Sequence, residues 1–275
     1  MARQFVCVFC KPPDQVTEAG HRFFEHHKEN LGYVRFVELL AKRADEFGRL
    51  AAEMAAITNP TRGADESGAL KALASFRRLE LELQLSRATD NFLTYLSELL
   101  GSIFVLRPET MKSSETVRLD EVLQHKTMDE IVRALAARKV ERLSYQGMKA
   151  FADELQTKMG FQLFGCEHDL ARAVRIVESR NLIAHNRGLV NDTFRSRTGL
   201  NYRIGNYLPL QPKSVSDDLD LIAAFVFDID KRAASKWGLP SQSFTVKCEH
   251  WEQYLPGNAT MKKTESAAAP VTRTQ

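Results

Sequence analysis

Leu79-Glu80-Leu81-Glu82-Leu83-Gln84-Leu85 alternates apolar and polar residues without a break, which is the pattern of a half-buried strand. Its residue types argue for a helix instead. Leucine, glutamate and glutamine are unbranched helix formers, whereas strands favour β-branched and aromatic side chains. Further along, Phe92, Leu96, Leu99, Leu100 and Ile103 recur at three- and four-residue steps as one apolar stripe. The run from Glu66 to Phe104 is therefore expected to be helical, ending before Pro108. Outward from it the chain reads the same way. Tyr33 to Ile57 is rich in Ala, Leu, Glu, Lys and Arg, with Phe36, Leu39, Leu40, Phe47 and Leu50 at helical spacing. Asn59-Pro60 and Gly63 interrupt that run.

Downstream, Thr127 is positioned as an N-cap before Met128-Asp129-Glu130, and a short helix from Gln146 to Met159 stops at Gly160. Another spans Glu167 to Gly188, and a last one runs from Ser216 to Trp237, closed by Gly238 and Pro240. Tyr202 to Leu210 is expected to form a small hairpin. The fold class is all-α. Three segments are expected: a helical N-terminal extension over 1–64, a helical domain over 65–240 and a C-terminal segment over 241–275. The composition after Pro256 is that of a disordered tail.

The 275 residues are 44% hydrophobic and 27% charged, enough apolar side chain for a core, which excludes a wholly disordered or collagen-like chain. No membrane span is expected, and the N-terminal apolar stretch is too short for a signal peptide. Four cysteines in a chain of this length do not make a disulfide scaffold. The expected setting is a reduced, cytoplasmic one. Neither a G-x-x-x-x-G-K-[ST] nor a G-x-G-x-x-G run occurs, which argues against an NTPase or a dehydrogenase.

Chemistry concentrates in Val177-Glu178-Ser179-Arg180-Asn181-Leu182-Ile183-Ala184-His185-Asn186-Arg187-Gly188. The apolar stripe Leu170, Val174, Val177 continues at helical steps into Asn181 and His185, so two polar groups stand where aliphatic ones belong. Unpaired burial there would cost about 1 to 3 kcal/mol per group, so this edge is expected to line a cleft or a subunit interface. Charge gathers in the same place. Residues 171–203 hold seven arginines against Glu178 and Asp192, an excess of five in a chain whose net charge is +3.

Such a footprint suits a phosphate backbone. Histidine moves protons near neutral pH and guanidinium matches phosphate oxygens, which together suit attack of a ribose 2′-hydroxyl on its own 3′-phosphate. Arg180 and His185 are the candidate catalytic residues, with Asn181 as orienter. Arg175, Arg187, Arg195, Arg197 and Arg203 are candidates for holding RNA. No cofactor or metal is required. The spacing alone recurs by chance, since Arg22 and His27 share it beside Phe23 and Phe24 with no basic excess. The alternative for the second copy is a hydrogen-bonded interface histidine and an ordinary surface arginine. A separate metal reading pairs Cys7 and Cys10 with His21 and His26, against a packed segment whose thiols act as small hydrophobes.

Arg180-Asn181-Leu182-Ile183-Ala184-His185-Asn186 resembles the Arg-polar-x-x-x-His signature of the HEPN superfamily (higher eukaryote and prokaryote nucleotide-binding). The stretches from Asp90 through Pro108, Leu119 to Leu123 and Val140 to Tyr145 resemble it too, as does the helix ending at Trp237. The resemblance covers about 150 residues and leaves Met1 to Leu85 outside it. It implies a helical bundle, a homodimer whose motifs face each other, and metal-independent endoribonuclease activity of the toxin–antitoxin and phage-defence kind. Arg180, His185 and Asn181 would be its site, RNA its substrate, and an antitoxin or regulatory protein a further partner. One toxin subgroup carries a modified tyrosine two residues after the histidine. Here that position is Arg187, which departs from that mode of control. Members without activity serve as adaptors that bind RNA or a protein through the same dimer.

Overall fold

The computed structural model of the chain describes residues 15–58, 69–111 and 116–244. Its elements are β1 (Gln15–Thr17), α1 (Glu18–Thr58), α2 (Ala69–Ser75), α3 (Arg77–Leu106), a 3₁₀ turn (Pro108–Met111), α4 (Leu119–Leu123), α5 (Met128–Tyr145), α6 (Met148–Met159), α7 (Glu167–Asn186), α8 (Asp192–Thr198), α9 (Pro212–Trp237) and β2 (Ser241–Ser243). The expectation of a mainly α-helical protein holds. Among the described residues no helix is long and apolar enough to cross a membrane.

Helix α3 is the centre, touching α1, α5, α7 and α9. The alternating leucines resolve as helical geometry requires. Leu81 and Leu85, one turn apart, are buried with Ala88, Thr89 and Phe92 beneath them. Leu79 and Leu83, also one turn apart, point the other way and are half exposed. The long helical run is broken near Phe76, where α2 ends and α3 begins. Pro108 follows α3 as expected, since its ring cannot continue the helix.

Three expectations change. Helix α1 begins at Glu18 rather than near Tyr33. Its early glycine has a packing reason, because a side chain at Gly20 would sit 2.8 Å from the Asp230 carboxylate. That carboxylate is buried and accepts hydrogen bonds from Thr17 N (2.8 Å), Thr17 Oγ1 (2.5 Å) and Tyr95 Oη (3.3 Å).

Second, the segment boundaries do not divide cores. Val16, Ala19, Phe23, Phe24 and Phe244 belong to the same apolar cluster as α3, α7 and α9, and β1 pairs antiparallel with β2, Gln15 opposite Ser243. The chain's described ends are thus tied together on the bundle. The boundary at 64 and the tail after Pro256 themselves lie outside the described residues.

Third, Tyr202 to Leu210 is not a hairpin. Residues 205–208 bond instead to 188–190: Gly205 N to Val190 O, Val190 N to Asn206 O and Leu208 N to Gly188 O, all at 2.8 to 2.9 Å. Between them the sequence reading missed α8, whose N-cap Asn191 accepts from Phe194 N.

His27 belongs to this core. It is buried and stacked on Phe23, while Arg22 is exposed and pairs with Glu18 and Glu98. The first Arg/His pair therefore forms no shared site. Burial lowers the His27 pKa from 6.5 to about 4, so the unfolded chain takes up this proton more readily than the folded one. Stability from this group is complete above pH 6.5 and is lost as the pH falls through about 4. The loss should reach about 3 kcal/mol, at ~1.4 kcal/mol per tenfold difference in proton affinity. Urea unfolding at pH 7 and pH 4.5 should show it, and His27→Phe should flatten it; an unchanged pH dependence in that variant would contradict the assignment.

Candidate functional site

Helix α7 carries the site, and its sequence sets both ends. Glu167 and Asp169 lie in the first turn, where carboxylates complement the helix dipole. At the far end Arg187 takes a left-handed conformation with φ 54° and Gly188 follows with φ 75°. Arg187 N–H and Gly188 N–H both donate back to Leu182 O, the latter at 2.9 Å, so the left-handed ending satisfies a carbonyl of the last turn. A side chain at 188 would also meet Glu82 Oε1 of α3 at 2.9 Å. Asn186 Nδ2 donates to Leu189 O, so the helix end and the following turn are clamped together. Leu182, Val190, Phe194 and Leu208 form a small apolar cluster beneath that turn. It fixes α8 against α7.

One face of α7 is spent on the core: Ala173, Ile176 and Val177 are buried with α3 and α9. The apolar stripe then runs out into a cleft of about 470 Å³. Leu93 and Leu96 of α3, Leu143 of α5, and Met148 and Phe151 of α6 contribute to its apolar wall. Arg180, Asn181, His185 and Asn186 of α7 line the same cleft, with Asn191, Thr193 and Arg197 from the turn and α8. The three expected catalytic residues thus come together on one opening. Arg180 and Asn181 are half-buried, and His185 is exposed at its edge. Among the described residues the His185 imidazole has no hydrogen-bond partner, and it lines the cleft.

Electrostatics depart from the linear count. Arg180 Nε lies 2.6 Å from Asp90 Oδ1 on α3. That contact falls outside hydrogen-bond geometry and is an ion pair, while Nη1 donates to Asn181 Oδ1 at 3.4 Å. Arg197 Nη1 donates to Glu178 Oε1 at 2.9 Å, and Glu178 is buried. Arg172 and Arg175 both face Asp218 of α9, Arg175 as a direct hydrogen-bond donor. Burial pushes the Asp218 carboxyl up, and Arg175 and Arg172 oppose that shift. Asp90 and Asp218 come from helices outside the basic segment, so its excess of five falls to three in the folded molecule.

The candidate RNA-holding arginines are accordingly separated. Arg197 lines the cleft. Arg175 lines a neighbouring hollow of about 260 Å³ with Ser179, Tyr202 and Asp218. Arg195 donates to Asn201 Oδ1 at 2.6 Å. Arg187 and Arg203 are exposed without an ion-pair partner among the described residues. Around them, the loop is held down by Arg78 of α3, whose guanidinium stacks over the Tyr207 ring at 4.0 Å.

Asp90 and Glu178 are the site residues that motif reading missed. No spacing rule reports them, because each acts by pairing with an arginine that only the fold brings near. For the metal reading, Cys7 and Cys10 lie outside the described residues. Of its histidines, His21 packs edge-on to Phe244 and His26 pairs with Glu29. Five residues apart on one helix, they point to different sides. Among the described residues no cluster of three or more His, Cys, Asp or Glu is placed to hold a metal.

With this geometry established, comparison with known proteins adds no relative. No family model matches the chain, and no curated protein and no solved structure does.

Proposed function

We propose that the protein is a metal-independent endoribonuclease of the HEPN type, a toxin or antiviral defence effector working in the cytoplasm on RNA. The observation that carries the reading is the convergence of Arg180, Asn181 and an unengaged His185 on one open cleft.

The chemistry follows from those groups. The ribose 2′-oxygen attacks the adjacent phosphorus as its proton leaves to an imidazole. The phosphorus–O5′ bond breaks as a proton is delivered to O5′, giving 2′,3′-cyclic phosphate and 5′-hydroxyl ends. Arg180 neutralises the charge that builds on the phosphorane oxygens, and Asn181 orients imidazole or substrate. Base and acid must act on opposite sides of the phosphorus, and each cleft holds one histidine. A homodimer with facing α7 helices supplies the second.

Asp90 then acts as a competitor of the phosphate and as the group that aims the guanidinium. Arg187, Arg203 and Arg197 supply the backbone contacts, and an antitoxin or regulatory protein would act by covering this face. The Arg180–Asp90 pair also supports a second reading, a non-catalytic adaptor that binds RNA or a protein partner, since an arginine already neutralised needs displacement before it can serve a phosphate.

Purified wild type incubated with total RNA in EDTA should leave cyclic-phosphate ends. His185→Ala should lower the rate by about 10² to 10⁴ and Arg180→Ala by roughly 10² to 10³, with helicity kept. Cleavage by the double variant at the wild-type rate would contradict the site, and RNA binding without cleavage by wild type would favour the adaptor.

A second expectation concerns Asp90. Asp90→Asn should tighten RNA binding and steepen the dependence of log K on log salt by about one. It should also slow cleavage, because Arg180 loses the partner that aims it. An unchanged salt slope would separate Asp90 from the RNA path.

A further inference from the structure

The outer face of α1 is apolar and open. Tyr33, Phe36, Leu40, Phe47 and Leu50 are 68%, 49%, 52%, 74% and 55% exposed. They follow one another at three, four, seven and three residues, the a/d spacing of a heptad whose one polar member is Arg43. The opposite side of the helix is already engaged. Ala41 is buried, and Glu38 lies 3.7 Å from Arg77 of α3. Singly exposed apolar side chains need no explanation, but a continuous seam along one helix does.

We propose that this seam is a self-association surface, on which α1 packs antiparallel against α1 of a second copy of the chain. Period, size and charge choose that occupant. A heptad seam fits another helix of the same period, and a two-fold contact needs the same patch on both partners, which a second copy supplies. The five side chains expose roughly 600 to 700 Å² per copy, close to the ~800 Å² per partner of a stable interface.

Charge sets the direction. In a parallel, in-register pair each layer matches a residue with its own copy, so Arg43 would face Arg43 on the seam. In an antiparallel pair Arg43 lies beside Leu40 or Phe47 of the second copy, and its own Glu46, 2.7 Å away, keeps the guanidinium paired. This surface involves neither α7 nor the cleft, and it stands whether or not the ribonuclease reading does.

Cysteine crosslinking of the full chain tests orientation and occupant together. Tyr33→Cys and Leu50→Cys are made separately with the four native cysteines replaced by serine, and thiol labelling checks that both new side chains are reachable. The two positions are about 25 Å apart along the helix at ~1.5 Å per residue, beyond a short bis-maleimide. A mixture of the two variants should give a covalent dimer joining 33 to 50, and each variant alone should not. Dimers formed by the single variants would mean a parallel pair, and absence of any crosslink would mean the seam is not shared between copies. Either result overturns the proposal. Sedimentation of Leu40→Gln/Phe47→Gln, exposed positions whose change should leave helicity intact, should show loss of one association step relative to wild type. An unchanged association would equally overturn it, as would protection of the seam by another segment of the same chain.

Discussion

Helix α3 has to bury roughly half its circumference along most of its length, from Leu81 to Phe104. No single neighbour covers that width, so α1, α5, α7 and α9 all pack on it. The rest of the molecule follows from this demand. Helix α7 is held where one face seals the core and the adjoining edge faces the space beneath α5 and α6. That space becomes the cleft. The same helix places Asp90 two residues before the buried Phe92 and so on its other side, where it meets Arg180. Core packing and the electrostatics of the candidate site are therefore set by one element.

Charge in this protein is arranged in pairs across helices. The arginines of α7 and α8 look like an open basic surface along the chain, yet Asp90, Glu178 and Asp218 each hold one or two of them. Compensation of this kind costs less than leaving a half-buried guanidinium unpaired. It also leaves His185 as the ionisable group at the cleft mouth without a partner among the described residues, while the buried His27 is locked into the core. Two histidines, each five residues after an arginine, thus have opposite fates, and burial decides between them.

Much of this was legible along the chain, for identifiable reasons. Helix propensity decided the alternating leucines correctly, because side-chain branching carries the helix preference even where periodicity misleads. The stripe from Leu170 to His185 located the cleft, because a polar residue on a buried face must meet solvent or a partner. Other features depended on contacts distant in sequence. Residues 205–208 pair with 188–190 and not with each other, since α8 and its apolar cluster bring the two stretches together. The start of α1 at Glu18 rests on packing of Phe23 and Phe24 that local spacing does not report. Asp90 lies ninety positions from the arginine it neutralises, beyond any motif.

The proposed ribonuclease site requires that RNA enter the α7 cleft at His185. Its most direct test is an NMR titration of the histidine ring signals with a short oligonucleotide whose 2′-hydroxyls are replaced by hydrogen, so that it binds without being cut. If RNA binds there, the His185 signals shift saturably, Arg180→Ala weakens the effect, and the buried His27 stays unmoved. Saturable binding that leaves His185 unmoved would contradict it.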